Sequence, residues 1–132
     1  MYQVGVRTPM DVGHFLVGDF DEESLPHRHD YEVEWRCSVE SLDENGFSVD
    51  ISVMKRCLDS LAEEMGGSML NDIGFFASRQ TSIENFAEYV WHRLTEALQT
   101  EAPNDLERIV TSEIRVWEAP DAWASYRQPI RR

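Results

Sequence analysis

The chain has 132 residues, enough for one domain with a real hydrophobic core, and its 42% hydrophobic against 28% charged residues exclude a disordered polyelectrolyte. Twenty-five acidic residues against twelve Lys and Arg give a formal charge of −13, so nucleic acid, whose phosphates would be repelled, is not an expected partner. No apolar run is long enough for a bilayer, and residues 1–15 have neither a basic start nor a continuous apolar stretch, so no membrane partner is expected and the expected compartment is cytoplasmic.

Tyr2–Arg7 and Asp11–Phe20 read as two strand segments around a Thr8–Pro9 break. From Tyr31 to Glu40 the chain alternates: Tyr31, Val33, Trp35, Cys37 and Val39 share one side, while Glu32, Glu34, Arg36, Ser38 and Glu40 share the other. That period of two predicts a strand with one buried and one wet face. Leu42–Gly46 supplies turn residues, and Asp50 can cap a helix to about Met65 with Ile51, Met54, Leu58, Leu61 and Met65 on its apolar side. Gly66–Gly67 ends it. Thr81 and Glu84 fit a capping box opening a second helix, whose face is Ile83, Phe86, Ala87, Val90, Leu94, Ala97 and Leu98. Pro103–Asn104–Asp105 breaks the chain.

A strand follows with Val110, Ser112, Ile114, Val116 and Glu118 on one face, and Ala122–Arg127 returns as another after Ala119–Pro120–Asp121. Trp117, Trp123 and Tyr126 are expected to make cross-strand aromatic contacts, and His92 to be solvated. The plan is α+β, a four-stranded antiparallel sheet with two helices on one face in the order ββααββ, within a single domain over 1–132. Cys37 and Cys57 are too few for a disulfide framework and are expected to be reduced, partly buried small hydrophobes. Arg127, Arg131 and Arg132 crowd the C-terminus and read as a solvated tail. An anionic ligand would need a local positive centre, either a metal ion or a small Arg cluster.

His27 and His29 are two apart on an extended segment, so both imidazoles project to the side shared by Tyr31 and Val33. With His14 from the preceding strand they can make the three-protein-ligand set of a catalytic zinc. By spacing alone such paired histidines are more often hydrogen-bonded or surface residues than metal ligands. Glu118 has the parity of Ile114 and Val116, which puts a carboxylate at the end of an inward face. Such a group needs a ligand, a nearby arginine or a backbone amide as partner.

Met10-Asp11-Val12-Gly13-His14 resembles the strand motif ending in the first zinc histidine of the 6-pyruvoyltetrahydropterin synthase and 6-carboxytetrahydropterin synthase family, and His27-Arg28-His29 resembles that family's His-Gly-His. The same alternating strand, Gly46–Asp50, Leu70-Asn71-Asp72, Thr81-Ser82-Ile83-Glu84 and Glu118 follow in the family's order across nearly the whole chain. The resemblance implies a T-fold, zinc held by His14, His27 and His29, and self-association into trimers or hexamers. It further implies a pterin-like ligand bound by Glu118, Thr81 and Ser82.

This sequence departs from the family at two places. The catalytic cysteine before the histidines is matched by Glu23, and the family's Asp-His pair falls on Gly66 and Gly67. A folate-branch subgroup has glutamate in the cysteine's place within a Glu-Ser-Leu-like context, which Glu23-Ser24-Leu25 resembles. Those enzymes cleave the side chain of dihydroneopterin triphosphate to 6-hydroxymethyldihydropterin, and a carboxylate beside zinc can serve as general base. Against this, Glu23 is also one of four acidic residues in Asp19–Glu23. Three readings follow as expectations: a zinc-dependent lyase on a reduced pterin with Glu23 catalytic, a repurposed pterin- or purine-binding protein without synthase activity, or an acidic oligomeric scaffold whose histidines are incidental.

Overall fold

Alternation in the first forty residues builds one long antiparallel pair, β1 (Tyr2–His14) and β2 (His27–Val39), in a computed structural model that describes residues 1–130. Helices α1 (Ile51–Met65), α2 (Ile83–Glu101) and the short α3 (Pro103–Arg108) follow, then strands β3 (Ile109–Ala119) and β4 (Ala122–Pro129). The sheet order is β1-β2-β3-β4, antiparallel throughout. The ββααββ plan holds for the long elements. Of the C-terminal arginines, Arg127 is exposed on β4, while Arg131 and Arg132 lie outside the described residues.

One sheet face carries the core. Val6, Met10, Val12, Tyr31, Val33, Trp35, Ile114 and Val116 meet Met54, Leu58, Leu61 and Met65 of α1 and Phe86, Val90, Leu94 and Leu98 of α2, all buried. Each full burial of this kind contributes about 1.5–3 kcal/mol. The Trp35 indole also satisfies its N–H there, donating to Ser112 Oγ at 2.9 Å. The opposite face is layered with charge, including Arg7–Glu32 at 3.3 Å and Arg115–Glu113 at 3.0 Å, with the Arg115 guanidinium 3.9 Å from the centre of the Trp123 ring. No helix among the described residues is long and apolar enough to cross a membrane.

Several local expectations need correction. The Thr8–Pro9 break does not exist: β1 runs through Pro9, which pairs with Glu32, because β1 is an edge strand where proline's missing N–H can be tolerated. The strand ends at His14, so residues 15–20 are loop rather than strand. Ile51 is exposed at the start of α1, and Cys57 takes a place in the buried stripe instead. Pro103 opens α3 rather than breaking the chain, since its fixed φ and absent N–H suit the first helical position. A register shift pairs Ser38 with Thr111 but Val39 with Ile109, so Ile109 enters the core in place of Val110.

The aromatic expectation splits by face. Trp117 and Trp123 form a cross-strand pair 5.9 Å apart. Tyr126 points to the helix side, edge-on to Trp91 at 5.8 Å. His92 is exposed yet packs against Trp91, Phe75 and Tyr126, and pairs with Glu88. Both cysteines are free and buried as expected, and burial pushes the Cys37 thiol up to about 12, which makes it inert.

The expected Thr81–Glu84 capping box gives way to a single N-cap one residue later, and the Asn85 side chain donates to the Gln80 carbonyl at 3.0 Å rather than reaching back to the cap. Ser82, not Thr81, is the N-cap of α2, its hydroxyl accepting from the Asn85 N–H at 3.3 Å. Replacing Ser82 with Ala is expected to cost about 1 kcal/mol of stability in urea titrations without changing the slope of the transition.

Candidate metal centre

The β1–β2 register pairs His14 with His27 and Val12 with His29 across the ladder. It thereby draws all three rings to one end of the buried face. His14 is 4.5 Å from His27 and 5.0 Å from His29, centre to centre, and His27 is 4.8 Å from His29. The predicted three-histidine grouping is thus assembled, and Glu23 joins it: one ligand atom from each of His14, Glu23, His27 and His29 lies within 4.8 Å of the others.

Backbone carbonyls fix which imidazole nitrogen faces inward. His14 Nδ1–H donates to the Thr81 carbonyl at 2.7 Å, and His27 Nδ1–H donates to the Leu25 carbonyl at 2.7 Å. A carbonyl oxygen can only accept, so both rings donate from Nδ1 and turn Nε2 inward. His14 is 4% exposed and its Nε2 is buried without a hydrogen-bond partner. An orphaned buried lone pair costs of order 1–3 kcal/mol and calls for a donor or a cation. Burial, followed by the neighbouring histidines, holds the His14 pKa below its usual value, against the raising effect of Thr81. The ring therefore stays in the neutral form that can bind a metal. These residues fit a zinc-type site.

Surrounding groups favour positive charge at this point. Tyr31 stacks on His29 with ring centres 5.0 Å apart and planes 12° from parallel. Burial first, then the charges of Glu118 and Glu23, push the Tyr31 phenol above its ordinary range, so it remains a neutral wall. Glu118 itself stands outside the four-residue cluster, exposed near the end of β3. Its charge is nevertheless felt at Tyr31 on the inward face, and the β3–β4 ladder shifts register around it, between Trp117 and Ala119.

Thr81 sits deeper than its expected role in ligand binding suggests. It is 1% exposed, its hydroxyl donates to the Phe15 carbonyl at 2.9 Å, and that oxygen lies 3.2 Å from His14 Nδ1. Ser82 is half-buried at the helix start.

Two amide side chains that sequence reasoning passed over hold the segment after His14. Asn71 bonds both backbone groups of Phe15 at 3.0 Å, and Gln80 bonds those of Val17 at 2.8 and 3.0 Å, so each mimics a neighbouring strand. Leu70-Asn71-Asp72 was visible as a motif; Gln80 left no such signal. Between them, Leu16 N–H donates to the Glu23 carbonyl at 2.8 Å.

At Gly66 and Gly67 the backbone is used directly. Gly67, at φ +80°, donates to the Asp11 carbonyl at 3.0 Å, and Arg28 donates to the Gly67 carbonyl at 3.4 Å while pairing with Asp11 at 2.7 Å. Gly13 lies opposite Arg28 in the ladder, and a Cβ there would come within 3.2 Å of the Met69 methyl.

Residues 3–129 match the family model described as 6-pyruvoyl tetrahydropterin synthase. No curated protein sequence matches significantly. Among solved structures, a catalytic-residue variant of Plasmodium vivax 6-pyruvoyltetrahydropterin synthase, with glutamate replaced by alanine, superposes with a TM-score of 0.79 at 15% identity, covering 98% of each chain. The Caenorhabditis elegans 6-pyruvoyl tetrahydropterin synthase gives 0.74 at 18% identity, over 96% of this chain and 95% of that one. An uncharacterized Wolinella succinogenes protein gives 0.67 at 12%, over 95% and 97%. At these identities the likeness is one of fold.

Thr81→Val keeps the carbonyl and deletes only the hydroxyl, so it is expected to weaken zinc binding about tenfold in chelator competition. His27→Ala is expected to leave the purified protein without stoichiometric metal by elemental analysis.

Proposed function

Since the chain belongs to the 6-pyruvoyl tetrahydropterin synthase family, we propose that it is a zinc-dependent lyase acting on dihydroneopterin triphosphate or a closely related reduced pterin. The observation that carries this reading is the convergence of His14, Glu23, His27 and His29, with the His14 Nε2 lone pair buried and orphaned. His14, His27 and His29 would hold the ion through Nε2. When bound, zinc would supply a Lewis acid that lowers the pKa of a substrate hydroxyl.

The chain's own residues divide the remaining work. Glu23 would take a proton from that hydroxyl, a role supported by its exposed carboxylate lying 3.1 Å from His27 Nε2. The Plasmodium vivax neighbour likewise has a catalytic glutamate. Glu118 can accept paired N–H bonds from the pterin's amino group and ring nitrogen, and its charge is felt at Tyr31, which stacks on His29. Ser82 remains available at the start of α2. Thr81, being buried, acts by positioning His14.

The site would be completed by self-association into a trimer or hexamer, in one cytoplasmic domain spanning residues 1–132. Supporting this, β4 is an edge strand and Trp123 on it is 47% exposed. The expected particle mass by light scattering is three or six times the chain's 15.3 kDa.

A second reading has its own observation. Gly66 and Gly67 bring no acid–base side chain where the family carries Asp-His, and Arg28 reaches the Gly67 carbonyl instead. A protein that binds a pterin or purine without turnover would need none.

Zinc-loaded protein is expected to convert dihydroneopterin triphosphate to 6-hydroxymethyldihydropterin, followed by chromatography. Glu23→Gln should lower kcat by about 10²-fold or more, while Glu118→Ala should abolish pterin binding in calorimetry. Binding without conversion selects the second reading; absence of any pterin binding overturns both.

A further inference from the structure

In the structure Glu23 is bound into the same framework as the histidines. Its backbone carbonyl accepts from Leu16, two residues beyond His14, and the flanking Phe15 and Val17 are each clamped by an amide side chain. Ser24 closes the turn from the other side, its hydroxyl donating to the Gly18 carbonyl at 2.7 Å and accepting from Phe20 N–H at 2.9 Å. The carboxylate so delivered has Oε2 3.1 Å from His27 Nε2, and the same Nε2 is 3.1 Å from His29 Nε2.

The His27 Nδ1 bond to the Leu25 carbonyl turns Nε2 toward the Glu23 carboxylate and His29 Nε2, so these ligand atoms converge on one point. Ligand atoms about 2.0–2.2 Å from a tetrahedral zinc stand roughly 3.3 Å apart, close to the 3.1 Å from His27 Nε2 to Glu23 and to His29, within a set whose ligand atoms all lie within 4.8 Å of one another.

We propose, building on the zinc reading above, that Glu23 is the fourth ligand of the metal in the resting protein. The site is then a closed set of three imidazoles and one carboxylate, and an incoming ligand reaches the ion only when the carboxylate swings away. The side chain is 56% exposed, so it can rotate outward while its backbone stays tethered to Leu16. Glu23 thus guards the open position before it is free to accept a proton.

The test uses the full-length protein loaded with zinc or cobalt(II), comparing wild type with Glu23→Ala. Glu23 is exposed on a loop, and far-UV circular dichroism of the variant is expected to match wild type. Zinc affinity in chelator competition is expected to fall roughly tenfold or more. The cobalt absorption between about 500 and 650 nm is expected to change on substitution, as a carboxylate ligand gives way to water. Azide should alter the variant's spectrum at concentrations at least about tenfold below those needed for wild type, because no carboxylate competes for the position.

An unchanged cobalt spectrum with equal azide sensitivity overturns the proposal even if zinc affinity falls, since a nearby charge alters affinity without altering coordination. Stoichiometric zinc retained in His27→Ala would overturn the underlying zinc reading instead, so the two failures are distinguishable.

Discussion

Everything at the candidate centre depends on the register of β1 against β2. His14 faces His27 across the ladder, with Val12 opposite His29. Side chains alternate strictly along a strand, so a slip of one residue would turn His14 to the charged face and leave the pair on β2 alone. The register is held by the apolar set further along: Val6 faces Trp35, and Met10 faces Tyr31, all buried. Exposing that set would forfeit several residues' worth of burial at about 1.5–3 kcal/mol each. Core packing therefore positions the site, and the histidines need contribute little to folding.

The second constraint is electrostatic. A chain of formal charge −13 repels anions at long range, yet its histidine cluster includes a carboxylate, Glu23. Burial, reinforced by Glu118 and Glu23, raises the Tyr31 phenol, and burial lowers the His14 pKa. Such an environment concentrates a divalent cation and leaves anion binding to whatever the cation attracts. Arg28 does not serve as a free positive group, because Asp11 engages it on the other face of the sheet.

Where the chain departs from its family, the structure replaces side-chain chemistry with backbone. Gly66 closes α1 and Gly67 turns the chain along β1, donating to Asp11 and accepting from Arg28. The metal-side positions are filled and well supported, while the neighbouring acid–base positions hold glycine. Retained histidines beside absent partners are consistent with a reaction that relies on Glu23, or with binding alone.

Much of the fold was legible in the residues themselves. The alternation from Tyr31 to Val39, the α1 stripe of Met54, Leu58, Leu61 and Met65, and the α2 stripe around Phe86, Val90 and Leu94 each repeat with the period of their element. Periodicity is a local property, so sequence carries it. The three histidines were also legible, through their spacing and their order in the chain. What escaped were features set by partners distant in sequence. Pro9 looks like a break until β1 is known to be an edge. Thr81 looks like a cap until His14 and Phe15, over sixty residues away, claim its oxygens. The bulges at Val39 and Trp117 depend on pairing between strands, and the first decides that Ile109 is buried in place of Val110. The sequence by itself determined which histidines could meet; only the tertiary structure decided which nitrogen each presents and that Glu23 stands among them. Tautomers and loop positions are fixed by hydrogen bonds to carbonyls and amides that no local pattern encodes.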